Sequence, residues 1–285
     1  MKHFLFAILA LTLFSCSDST SLLDNEQDIE ALTLIIAESL SDQNDGFITE
    51  FYDFSSEFAG ASVSGPAKGI ANSGPRPGHG RPQNFVKTYD PVTGKHTLEF
   101  ERSFSNRMIS KSQNVYLEYI FQAEDGSFVE FPKESPYSTV SFSGERNGSI
   151  ETVRKTSSST REATWQMSGF EPESEFISMN GSQSGQGSMV VKTKSGDLSK
   201  EYTLTMSFEN ISLDKSFLAD STLENKLSGT IDFEMNVVHT LPNGEIKERV
   251  NSGTIDLAGD GKALLRIMGI RQIFAIDLKD GEVES

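Results

Sequence analysis

Tyr202-Thr203-Leu204-Thr205-Met206-Ser207-Phe208 and Ile231-Asp232-Phe233-Glu234-Met235-Asn236-Val237 decide the fold. In both stretches an apolar side chain recurs at every second residue, with Thr, Ser, Asp, Glu or Asn between. A strand turns successive side chains to opposite faces, so this pattern predicts one face on a core and one in water. The same period runs through Leu98, Phe100, Arg102 and Phe104, with Glu99, Glu101 and Ser103 between them. It returns in Val115, Leu117, Tyr119 and Phe121, alternating with Tyr116, Glu118, Ile120 and Gln122.

Between these runs lie turn signals: Pro91-Val92-Thr93-Gly94, Glu124-Asp125-Gly126, Arg146-Asn147-Gly148, Ser195-Gly196-Asp197, Pro242-Asn243-Gly244, Asp260-Gly261 and Asp280-Gly281. Asn-Gly and Asp-Gly suit tight hairpins because both residues tolerate positive φ. The body from residue 85 to 285 is therefore expected to be mainly β, a hairpin-rich antiparallel sheet, either a twisted open sheet or a β-sandwich. Val190-Val191-Lys192-Thr193 and Val237-Val238-His239-Thr240, each followed by a Gly-acid-aliphatic turn, hint at an internal repeat. A β-meander explains the same similarity.

Upstream the period changes. Asp24 can cap a helix whose first turn holds Glu26, Asp28 and Glu30, and Ile29, Leu32, Ile36 and Leu40 follow at helical spacing. After the polar break 41–46, Phe47, Phe51, Phe54 and Phe58 form a second apolar stripe. Residues 24–59 thus predict two short amphipathic helices, which should pack on each other and on the body. Residues 60–84 read as a linker, with Pro66, Pro75, Pro77 and Pro82 among six glycines.

The formal charge is -16. Residues 17–67 hold eleven acids and neither Lys nor Arg, whereas residues 68–111 hold eight bases against three acids. The simplest account of this asymmetry is mutual attraction inside the fold; a basic stretch meeting sugar phosphates or carboxylates is the sharper one. So negative a molecule is a poor partner for duplex nucleic acid, and none is expected.

The chain opens with Lys2, an apolar run from Phe4 to Phe14, and Leu13-Phe14-Ser15-Cys16. Charged start, short apolar run and small residue before a cut are the layout of a secretory signal. The run is too short to span a bilayer, which takes roughly 20 residues. Leu13-Phe14-Ser15-Cys16 resembles the bacterial lipobox, departing from it at Phe14, and the polar run Ser17-Asp18-Ser19-Thr20-Ser21 follows as a tether. The resemblance, to exported lipoproteins of Gram-negative bacteria, covers residues 1 to about 21. It implies a leader of residues 1–15, acylation of Cys16 with palmitate-type chains, and a lipidated tether over 16–23. Removing that leader takes away one positive charge, Lys2, and leaves -17. Several acyl chains anchor stably where one binds reversibly. Cys16 is the single cysteine, so acylation would leave no thiol for disulfides, catalysis or metal.

Signatures of chemistry are sparse. No Gly-x-Ser-x-Gly elbow occurs; Gly181-Ser182-Gln183-Ser184-Gly185-Gln186-Gly187 has the composition without the spacing and reads as a flexible hairpin or bulged strand end. No phosphate-cradling Gly-Lys-Ser/Thr loop is present. His79, His96 and His239 lie far apart in sequence, His79 in the linker, and each is expected at the surface rather than on a metal. Asp42-Gln43-Asn44-Asp45-Gly46 lacks the acid spacing and final Glu of a calcium loop and reads as the turn between helices. Glu99, Glu101, Asp232 and Glu234 fall on polar strand faces, and Trp165 and Met167 on a core face. Asp18-Ser19-Thr20 and Asp220-Ser221-Thr222 resemble a bacterial O-glycosylation acceptor, which would make Ser19 and Ser221 the modified residues.

These readings lead to a lipid-anchored envelope protein, most simply of the outer membrane, with a non-enzymatic structural or binding role. It needs no cofactor or metal, and an envelope or extracellular protein or glycan is its expected partner. Two alternatives stand beside it: a carrier of lipid or another hydrophobic ligand in a β groove, and a glycan hydrolase using an acidic pair.

Overall fold

The alternating stretches are strands of a single antiparallel sheet. The chain's structure, a computed structural model, describes residues 26–58, 79–193, 196–218, 223–241 and 243–284. It contains α1 (Glu26–Leu40), α2 (Phe47–Phe58) and twelve strands. The strands are β1 (Pro82–Asp90), β2 (Lys95–Ser105), β3 (Ile109–Gln122), β4 (Thr139–Thr152), β5 (Lys155–Ser168) and β6 (Phe176–Thr193). They continue as β7 (Gly196–Asp214), β8 (Leu227–Thr240), β9 (Ile246–Ala258), β10 (Lys262–Ile267), β11 (Ile273–Asp277) and β12 (Val283–Glu284). Spatial order equals sequence order throughout, so the fold is a meander, and of the two expected forms it is the open sheet.

Leu204, Met206 and Phe208 point inward with Ile231, Phe233, Met235 and Val237, while Thr203, Thr205 and Ser207 face water. The inner face curls around the helices. Along α2, Phe47 meets Phe208 of β7, Phe51 stacks on Trp165 of β5, Phe54 meets Tyr119 and Phe121 of β3, and Phe58 reaches His96 of β2. All four phenylalanines are essentially fully buried. Burial of such a ring contributes about 1.5–3 kcal/mol, so the stripe alone is a major part of the core.

Curvature has local causes. The β6–β7 register slips between Met179 and Gly181, and the β7–β8 register between Phe208 and Ser212. At the second break Asn210 takes a positive φ of 55°, and its N–H donates to Asn180 Oδ1 at 2.7 Å. Bulges of this kind bend a strand and increase its twist.

Several expectations need correction. Arg146-Asn147-Gly148 is no turn; it lies within β4, because Arg146 is drawn inward to a buried carboxylate. Gly181 to Gly187 is no hairpin either but the middle of β6, where a Cβ on Gly181 would sit 2.3 Å from the Thr164 carbonyl oxygen. The end of the linker is ordered sooner than its prolines suggest. Pro82 begins β1, at the first position of an edge strand, where a missing N–H costs no ladder bond. The break between helices is a turn as expected, a 3-10 turn at residues 42–44 closed by Asp45 at φ 57°.

Candidate functional site

Acids of the helical segment meet bases of the sheet across the inner face. Asp53 accepts from Arg102 at 2.5 and 3.1 Å and from Arg146 at 2.9 Å. Glu50 lies 3.9 Å from Arg146 and accepts from Trp165 Nε1 at 3.1 Å. Glu57 pairs with Lys87 at 2.7 Å, and Glu38 with Lys155. Lys111 and Arg161 donate to the carbonyls of Gln43 and Asn44. Of the basic stretch, Lys87, Arg102 and Lys111 are thus engaged by the acidic segment, whereas Lys95 pairs with Glu118 within the sheet. Burial raises the Glu50 carboxyl above its ordinary value against the pull of Arg146 and Trp165. Burial also pushes Asp45 upward, but the His79 hydrogen bond and charge, with Lys111 and Arg102, outweigh it and bring the carboxyl down to about 2.

The three histidines are not surface residues. His79 is buried between Asp45 Oδ1 at 2.8 Å and Asp42 Oδ2 at 3.3 Å, an arrangement that suits the doubly protonated ring because ionised carboxylates only accept. His96 is buried beside Phe58, Phe121 and Tyr89, with Nε2 2.9 Å from the Val129 carbonyl oxygen. His239 is buried near the end of β8, in register with Lys200 and Lys247. The fold keeps them apart, and no group of three or more His, Cys, Asp or Glu able to hold a metal occurs among the described residues. Cys16, Ser19 and Ser221 lie outside the described residues.

The outer face carries the candidate site. Strand register aligns Asn114, Asn147, Thr160, Gln186, Thr203 and Asn236 in one row across β3 to β8. A parallel row holds Ser149, Ser158, Ser188 and Glu201. The sheet is hollowed here into a groove of about 520 Å³ centred on Thr160, Gln186 and Thr203. Beyond Asn147 it continues into a second hollow of about 460 Å³ with Asn114, Glu145, Glu101 and the half-exposed Tyr116 ring.

The lining is partly preorganised. Thr160 Oγ1 donates to Asn147 Oδ1 at 2.7 Å, Asn147 Nδ2 to Glu145 at 2.7 Å, and Asn236 Nδ2 to Glu248 at 2.8 Å. The Asn236 Oδ1 is buried without a hydrogen-bond partner. Chemically the central row offers neutral donors and acceptors, flanked by the carboxylates of Glu201 and Glu145, with the Tyr116 ring at one end. Glu99 and Glu101 stand at that end as exposed residues, and Asp232 and Glu234 are exposed on β8. Trp165 and Met167 belong to the core as expected.

No protein-family model, curated protein or solved structure matches the chain. The groove had a signal in the sequence: the outward positions of β4 to β7 are mostly uncharged Ser, Thr, Asn and Gln, where β2 and β3 place Glu. Reading Asn147-Gly148 as a turn breaks that row at its centre.

Proposed function

We propose that this chain is a lipid-anchored, non-enzymatic binding protein of the bacterial envelope, held through acylated Cys16 and binding a neutral glycan in the outer groove. The observation that carries the ligand reading is the row Asn147-Thr160-Gln186-Thr203-Asn236, because hydroxyls and carboxamides match a polyhydroxyl chain while offering little to an anion or a lipid. Tyr116 adds an apolar ring face at one end. The carrier alternative finds little support, since α2 fills the concave face. Among the described residues, two hollows between the helical segment and the sheet measure about 30 and 10 Å³, each room for about one water. The hydrolase alternative also finds little support, since Glu145 and Glu101 stand exposed on the open strand surface, each accepting from a neighbouring amide, of Asn147 and Asn84.

Two measurements test this reading. Radiolabelled palmitate should enter the membrane-bound wild-type chain and be lost with Cys16→Ser; label that persists refutes the anchor. Titration calorimetry with neutral oligosaccharides should show binding that Gln186→Ala and Asn236→Ala each weaken about tenfold, and an unchanged affinity refutes the groove. Protease shaving of intact cells would then tell the cell surface from the periplasm.

A further inference from the structure

The ends of the sheet differ in charge. At one end lie the connections β1–β2, β3–β4 and β5–β6, residues 91–94, 123–138 and 169–175. They carry Glu124, Asp125, Glu130, Glu134, Glu171, Glu173 and Glu175, all exposed, and none of these has an ion-pair partner among the described residues. Lys133 and Lys215 are the cations nearby. Exposed apolar groups sit among the acids: Val92 at 84%, Phe128 at 43%, Phe131 at 57% and, opening β6, Phe176 at 52%. At the opposite end the turns β2–β3 and β4–β5 hold Arg107-Met108 and Val153-Arg154 instead.

The three connections, two of them acidic, form one surface. Phe128 packs on Gly94, where a Cβ would meet its ring at 2.4 Å, and Tyr137 meets Phe170 with centroids 4.8 Å apart. The surface is also held in shape. The Ser127 amide and hydroxyl both donate to Asp125, the Glu134 and Ser135 amides to the Phe131 carbonyl, and His96 holds the Val129 carbonyl. A loop of this length in a compact sheet is uncommon and, when ordered, is often functional. Rigid exposed aromatics among unpaired charges are the anatomy of an interface, and these connections comprise about the 20–30 residues that one side of a stable interface takes.

We infer that this acidic, aromatic end is a docking surface for a cationic polypeptide, with Phe131 as its apolar anchor. Charge selects the partner: a rim of unpaired carboxylates repels anionic lipid and nucleic acid and attracts Lys- and Arg-rich chain. The inference is independent of the groove, which lies on the outer face away from these loops.

The test uses the chain from residue 16 onward, carrying Cys16→Ser so that it cannot be acylated, and a synthetic peptide of alternating Lys and Leu. Binding is followed by surface plasmon resonance at 50 and 300 mM salt. Expected are salt-sensitive binding, a fall of about tenfold for E171Q/E173Q/E175Q taken mainly in the on-rate, and about fivefold for F131S. The charge control D232N/E234Q/E248Q, on the outer face, should leave affinity unchanged. Equal loss in that control would mean attraction to net charge alone and would overturn the site. So would equal binding of a Glu/Leu peptide, or sedimentation of the free chain as a self-associated species that R107Q/R154Q disperses, since the surface would then be met by a second copy.

Discussion

Asp53→Ala should be the most damaging single carboxylate change in the helical segment. The Asp53 carboxylate is shared between two guanidiniums in a place where the side-chain exposures are 2% for Asp53, 8% for Arg102 and 2% for Arg146. Without it, Arg146 keeps Glu50 at 3.9 Å among the described residues, and Arg102 keeps the Phe100 ring at 4.8 Å and the longer-range charge of Asp45. Removing one partner of a buried pair costs about 3–5 kcal/mol, because the charge left behind stays desolvated. Two cations are stranded here, which places the loss towards the upper end. Urea unfolding followed through Trp165, the single tryptophan, reads the change directly. With a urea m-value of about 3 kcal/mol per M, the midpoint should fall by about 1–1.7 M. Glu57→Gln is the internal comparison: its partner Lys87 has a side chain 37% exposed, so the loss should stay below about 1 kcal/mol. A midpoint shift below about 0.3 M for Asp53→Ala would refute the view that this cluster clamps α2 to the sheet.

Acid should unfold the protein through Asp45. Its folded carboxyl ionises at about 2 rather than 3.8, so between these values the unfolded chain binds more protons. The contribution is full above about pH 4 and drains as the pH falls towards 2, about 2.5 kcal/mol in all at about 1.4 kcal/mol per unit. His79→Ala should flatten that acid limb, and a stability curve parallel to wild type below pH 4 would contradict the linkage. Glu50→Gln should be neutral or slightly stabilising at pH 7, because burial outweighs the attraction of Arg146 for the ionised form and Gln can still accept from Trp165. The difference from wild type should shrink as the pH is lowered and Glu50 protonates; thermal melts across pH 4–8 would show a deepening deficit of the variant if this is wrong. Gly181→Ala should lower the urea midpoint by about 1 M or more, since the new methyl meets Thr164 O at 2.3 Å and Trp165 Cβ at 2.5 Å, with β5 unable to retreat; an unchanged midpoint would show that it can.

The strands were legible because a half-buried antiparallel sheet writes its two faces into alternate residues. Both helices were legible from a 3.6-residue period, including the four phenylalanines that fill the inner face. What escaped was polar and inward. Arg102 stood in an otherwise apolar alternation and could have been read as a buried cation seeking an acid, but its partner Asp53 is 49 residues away. Arg146 was hidden by an Asn-Gly pair that mimics a hairpin; only the register of β3 and β5 keeps that segment extended. His79 looked like part of a solvated linker because composition describes 25 residues at once, whereas its burial depends on two aspartates of the turn after α1. The groove escaped for a related reason: its residues are ordinary surface side chains until five strands place them in one row.

The helical segment precedes the sheet in sequence but belongs to its core. One continuous apolar cluster holds Leu32, Ile36 and Phe54 together with Tyr119, Met206 and Ile276, residues drawn from both helices and from strands as distant as β3 and β11. An open sheet of this length with an apolar concave face would expose that face and two edges, an invitation to aggregation. Here α1 and α2 supply the second layer, and their acids neutralise bases that point into it. The turn after α1 also reaches the last hairpin, with the Asp42 and Gln43 amides donating to the Leu278 and Lys279 carbonyls at 2.9 and 2.8 Å. The same turn holds His79, immediately before the edge strand β1, so both margins of the sheet are tied to one short segment. A sheet pinned at both margins keeps its curvature, and with it the alignment of Asn147, Thr160, Gln186, Thr203 and Asn236 on the opposite face. Loosening the acidic segment should therefore degrade the groove at a distance, without any change to the residues that line it.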